Sequence, residues 1–196
     1  MKKIILFYFI LLAISSCVNV NLSRSRLTDQ IKSFDSFLFL YSNEDGNFEE
    51  WNEESFNQIL KSSFNGSEQE SKRETFSYYL RKHLKDKKIY SADQVFTGKS
   101  TVDYADFMAT IEHIKFDGIL LIHDKGNLRK DQVSMETRSS KSYTAYQIFL
   151  IDKLNYKYSW VGDFEAEANE MQEVPKIYQQ VVKELVSKLD QNGFLK

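Results

Sequence analysis

Four aliphatic residues in a row, Ile119-Leu120-Leu121-Ile122, stand between Asp117-Gly118 and His123-Asp124. A strand sends successive side chains to opposite faces, so an unbroken apolar run needs cover on both. The run therefore predicts a central strand of a sheet, buried on each side by packed elements. Fifteen Phe, eleven Tyr and two Trp among 196 residues supply the bulk for such a core.

The rest of the chain supplies neighbours for this strand. Residues 36–41 form a second apolar run, closed by the turn residues 43–46. Large residues spaced at 51, 56, 59, 60 and 64 predict a helix that Asn65-Gly66 stops. Ser67 with Glu70 starts another, to about residue 88. Ile89-Tyr90 and Val95-Phe96 read as a further strand. Thr101 or Asp103 caps a helix over 103–115. Residues 132–138 alternate weakly, and 143–151 and 156–164 read as a hairpin around Asp152-Lys153-Leu154-Asn155. A last helix runs from Pro175 to 192, with Gly193 as its cap. The order β-α-α-β-α-β-β-β-β-α predicts an α/β (α+β) fold, a mixed and partly antiparallel sheet with helices packed on it. Residues 34–196 read as one globular domain.

Residues 1–17 carry an address. Met1-Lys2-Lys3 is basic, Ile4 to Ile14 is apolar, and Ser15-Ser16-Cys17 follows. Eleven apolar residues are about half of the ~20 that span a bilayer, so the segment reads as a cleaved signal peptide, residues 1–16. Ile14-Ser15-Ser16-Cys17 resembles the bacterial lipobox, and the chain's single cysteine completes it. The resemblance implies diacylglycerol transfer to the Cys17 sulfur, cleavage before it and acylation of the new amino terminus. Several acyl chains on one residue anchor stably, where one alone binds marginally. Residues 17–33, polar and without a sustained period, read as a flexible tether.

Charge excludes other addresses. Loss of residues 1–16 removes Lys2 and Lys3, leaving 24 basic side chains against 28 acidic ones. That balance gives no footprint for nucleic acid, and the mildly acidic mature chain suits a solvated envelope compartment rather than a grip on anionic headgroups.

Catalytic and metal-binding patterns are not legible. His83 sits among Arg81, Lys82 and Lys85 on a solvated helix side, and His113 closes a helix. His123 and Asp124 end the central strand, where a pocket joining them to Glu136 or Asp163 would favour glycan chemistry. No His-Glu-x-x-His, Gly-x-Ser-x-Gly or glycine-rich phosphate loop occurs. No catalytic, metal or cofactor residues are assigned, and the only covalent group expected is the lipid on Cys17. Tyr156, Tyr158 and Trp160 align on one side of a strand by its two-residue period, which makes them the candidate partner surface.

Three segments carry a further resemblance: Phe116 to Ile122 after a helix, the hairpin 148–160 with its Asp152 and Trp160, and the closing helix 182–195 with Gly193-Phe194. They resemble small envelope lipoproteins, including activators of penicillin-binding proteins and the curli-secretion family. The resemblance implies a fold like the amino-terminal domain of TolB and carries no active-site residues to transfer. The chain is thus expected to be a non-enzymatic lipoprotein, held in the outer membrane, facing the periplasm and binding an envelope protein. A membrane-tethered glycan hydrolase or carbohydrate-binding protein is the alternative, and a subunit of a secretion or pore assembly a third.

Overall fold

A computed structural model describes residues 18–27, 31–46, 48, 50–64, 67–97, 102–133, 138–168 and 174–195. The expected signal peptide 1–16, Cys17 and Glu136 lie outside the described residues. In chain order the elements are β1 (Asn19–Leu27), β2 (Ser36–Ser42), α1 (Glu53–Phe64), α2 (Ser67–His83), β3 (Lys88–Ser91), α3 (Ala92–Val95), α4 (Tyr104–Glu112), β4 (Gly118–Val133), β5 (Arg138–Asp152), β6 (Lys157–Ala168) and α5 (Val174–Gln191). The strands form one mixed sheet in the order β1-β6-β5-β4-β2-β3. β2 runs parallel to β3 and β4, while β4, β5, β6 and β1 pair antiparallel.

The aliphatic run sits where its composition requires. Ile119, Leu120, Leu121 and Ile122 are all fully buried in β4, between β2 and β5. Leu120 and Ile122 join Phe37, Phe39, Ile148, Leu150 and Trp160 under Phe76 and Leu80 of α2 and Val181, Val182 and Leu185 of α5. Ile119 and Leu121 join Leu38, Leu40, Phe149 and Ile151 under Phe56 of α1 and Phe107 and Ile111 of α4. Helices thus cover both faces of a single α+β domain, each large buried side chain contributing about 1.5–3 kcal/mol.

Local chemistry sets the boundaries. The Asp103 carboxylate accepts the Asp106 N–H at 2.8 Å and starts α4. Gly193 takes φ +82° after α5, the left-handed conformation a helix end uses. α2 stops at His83, short of residue 88, because Lys88 opens β3 by donating its N–H to the Asp35 carbonyl at 3.0 Å. Val95, expected in a strand, lies in the single turn α3, where the Gln94 side chain accepts the Ser91 N–H at 3.3 Å.

Two expectations change more. The tether expected over 17–33 contains β1, paired with β6 from Asn19↔Glu167 to Leu27↔Trp160. Val18, Val20 and Leu22 alternate with Asn19 and Asn21, and these apolar residues pack on the α2/α5 side of the sheet. A register shift between Leu22 and Arg24 then breaks the alternation, which is why it does not read as a sustained period. β4 and β5 are also longer than expected: the weak strand 132–138 divides between them, and they pair as far as Val133↔Arg138.

Candidate functional site

The turn from β5 to β6 is built by its own side chains. The Asp152 carbonyl accepts the Tyr156 N–H at 2.8 Å, and its carboxylate accepts the Leu154 N–H at 3.0 Å. The Asn155 side chain accepts the Lys157 N–H at 2.9 Å. The closure puts Tyr156 at φ 54°, the left-handed region that a bulky L-residue rarely enters. Its ring stacks on Trp51, centroids 5.9 Å apart and planes 15° from parallel.

Beside this turn lies a half-open cleft of about 800 Å³, lined by α4, the two residues before β4, the turn and Lys32. Met108, Phe116, Leu154 and Tyr156 give it apolar surface, and Leu154 is 85% exposed. Its charges are mostly committed to structure. Lys153 donates to the Ile114 carbonyl at the end of α4 and lies over the Phe116 ring at 4.4 Å. Lys32 pairs with Asp152 at 2.9 Å. Asp117 accepts the Asp35 N–H and the Ser36 hydroxyl, each at 3.0 Å. Burial opposes ionisation of Asp117, but these hydrogen bonds and the Lys32 charge outweigh it and hold its carboxyl below the usual range. Burial lowers the Lys153 amine and raises the Tyr156 phenol from their ordinary values. Exposed Glu112 stands at the rim.

The three aromatics of the expected partner surface do not share a side. Leu150 opposes Trp160, but Ile151 opposes Tyr158, so Ser159 is the extra residue of a bulge. The bulge turns fully buried Trp160 into the α2/α5 core, while Tyr158 packs on Phe149 toward α1 and α4. The Tyr158 hydroxyl donates to the Phe48 carbonyl. Of the three, Tyr156 alone lines the cleft. A sequence signal for the cleft is present in the residue types at the turn: the four-residue connection 153–156 has no glycine, so an L-residue takes the left-handed position.

His123 and Asp124 point to opposite faces of the sheet. Nε2 of buried His123 lies 3.0 Å from the Glu44 carbonyl, and the ring meets the edge of Phe48 at 4.5 Å. Asp124 accepts the Tyr41 hydroxyl at 2.8 Å and the Gly126 N–H at 2.9 Å, with Lys72 Nζ at 3.4 Å. Gly126, at φ +83°, makes the bulge that this carboxylate caps. Asp163 shares a row with Gln147 and His123, two strand spacings or about 10 Å from the histidine. The structure does not join Asp124 to Asp163; each serves its own side of the sheet. Among the described residues, no group of three or more His, Cys, Asp or Glu is placed to hold a metal ion. No described helix is long and apolar enough to cross a membrane.

No protein-family model matches the chain, and no curated protein matches it. Among solved structures, it is similar to a PelC dodecamer from Paraburkholderia phytofirmans, with 8% identity, 92% of this chain and 100% of that chain covered, and a TM-score of 0.49. It is also similar to the lipoprotein GNA1162 from Neisseria meningitidis, with 13% identity, 80% and 98% covered, and a TM-score of 0.41. A third is the hypothetical protein CT253 from Chlamydia trachomatis, at 10% identity, 82% and 98% covered, and a TM-score of 0.42. None of these likenesses bears on what the chain binds or does.

Proposed function

We propose that this chain is an envelope lipoprotein, anchored through acylated Cys17, whose domain works by binding a protein partner at the cleft rather than by catalysis. The observation that carries the reading is Tyr156. Its backbone takes a conformation that glycine would adopt without strain, beside a cleft with apolar surface, and strained positions of this kind cluster at ligand-binding sites. The cleft offers apolar surface and, at its rim, exposed Glu112. Its complement is a polypeptide segment that pairs an apolar side chain with a neighbouring cation. Outer-membrane placement facing the periplasm rests on the resemblance to envelope lipoproteins.

The test places a photo-crosslinking amino acid at Leu154 in the full chain, in the bacterium that makes it. One adduct of defined mass is expected, lost in a Tyr156→Ala background and not formed from a probe at exposed Glu70. No adduct at 154, or the same adducts at 70, would reject the cleft as the partner surface. Radiolabelled palmitate should enter the wild type and not Cys17→Ser.

A further inference from the structure

β1, β6, β5 and β4 bring two distant parts of the chain to one end of the sheet. Asn19, the first residue of β1, opposes Glu167, which opposes Tyr143, which in turn opposes Leu128. One residue, Val18, stands between Cys17 and Asn19, which are at most about 7 Å apart along the chain. From the same end the β4–β5 ribbon runs on. Among the described residues β2 pairs no further along β4 than His123, and β6 no further along β5 than Ser142. Lys130↔Lys141, Asp131↔Ser140, Gln132↔Ser139 and Val133↔Arg138 extend beyond both, a two-stranded projection of about 13 Å.

The described ribbon, 127–133 with 138–142, contains Arg129, Lys130, Arg138 and Lys141 against one acid, Asp131. It is a basic segment on a chain whose acids outnumber its bases. Lys130 and Lys141 occupy opposite positions in the register of the two strands.

The geometry points to a second membrane contact: the β4–β5 ribbon rests on anionic phospholipid headgroups of the leaflet that holds the Cys17 lipid. This rests on the lipoprotein reading above. An anchor two residues from a strand fixed in the sheet leaves little slack, so the anchored end of the sheet faces the bilayer. Lys and Arg held near an anionic surface each add attraction to it. The turn 152–157 and its cleft then lie at the other end, ten residues or about 33 Å along β5 from Ser142.

The chain from Cys17 onward carries every described residue, and its sole thiol can be coupled to maleimide lipid in vesicles. Hydrogen exchange is followed at amides 129–133 and 138–142 on vesicles of phosphatidylcholine alone and of phosphatidylcholine with phosphatidylglycerol. On the anionic vesicles exchange should slow about fivefold or more, and high salt or the Lys130→Gln/Lys141→Gln pair should reverse this. The salt arm reads the contact even if the double variant loses the ribbon. Equal exchange on both vesicles, or slowing at 152–157 instead, would overturn the proposal. Because the coupling is chemical, this result stands apart from palmitate labelling in cells, which tests the lipoprotein reading alone.

Discussion

Tyr156 stacks on Trp51 while its own backbone sits at φ 54°, so one residue holds both a favourable ring contact and an unfavourable torsion. The two can be separated by substitution. Tyr156→Ala loses the ring and keeps the strain, whereas Tyr156→Gly loses both. The glycine variant should be more stable than the alanine variant by about 1 kcal/mol, the reverse of their order in a strand or helix. Urea unfolding of the pair measures this, and an alanine variant equal to or above glycine would place Tyr156 outside the left-handed region.

Tyr158 anchors the loop at Phe48 through its hydroxyl and packs its ring on Phe149. Tyr158→Phe keeps the ring and leaves the Phe48 carbonyl without this donor, so stability should fall by about 1 kcal/mol. Tyr158→Ala should cost more. Unchanged denaturation midpoints in both would show a side chain free to serve a partner instead.

Leu121 is buried in β4 and has Leu40 and Phe149 as its strand neighbours. Leu121→Asp places an unpaired carboxylate in that core and should cost several kcal/mol, enough to abolish a cooperative thermal transition. A melting curve like that of the wild type would remove β4 from the centre of the sheet.

Burial, helped by the Lys125 charge, lowers the His123 pKa from its ordinary 6.5, against opposing effects of the Glu44 carbonyl and nearby acids. The folded state therefore binds this proton less readily than the unfolded chain. The resulting stability is present above about pH 6.5 and is lost as pH falls from there through the folded-state pKa. His83, also lowered chiefly by burial, acts in the same direction. Melting temperatures taken from neutral pH downward should fall in this window. His123→Gln, which retains a donor for the Glu44 carbonyl, should show a shallower fall; an unchanged slope would clear His123 of the effect.

Burial patterns make most of the fold legible in the sequence. The Ile119–Ile122 run located the centre of the sheet, and the Pro175–Gly193 spacing located α5 within a residue or two, because both signals are local. What failed depended on partners remote in the chain. Val18, Val20 and Leu22 alternate over only a few residues, and nothing near them shows that β6 awaits them. The bulge at Ser159 is likewise a property of pairing with β5, and one inserted residue was enough to send Trp160 to the wrong face. The cleft has the same origin: Tyr156 was visible as an aromatic, but its neighbours Met108 and Phe116 come from elsewhere in the chain.

The β1–β6 pairing sets an order of events for a chain made from its amino terminus. Ser23 and the Asp163 carbonyl it bonds are 140 positions apart, so the first strand synthesised finds its place only when nearly the last has emerged. Until then β1 has no strand to pair with, and a loop of 140 positions is still open. Closing so long a loop is slow compared with forming local helices and hairpins. The β1 edge is therefore the last part of the sheet to be paired, and a chain cut short before β6 leaves β1 with no strand to join.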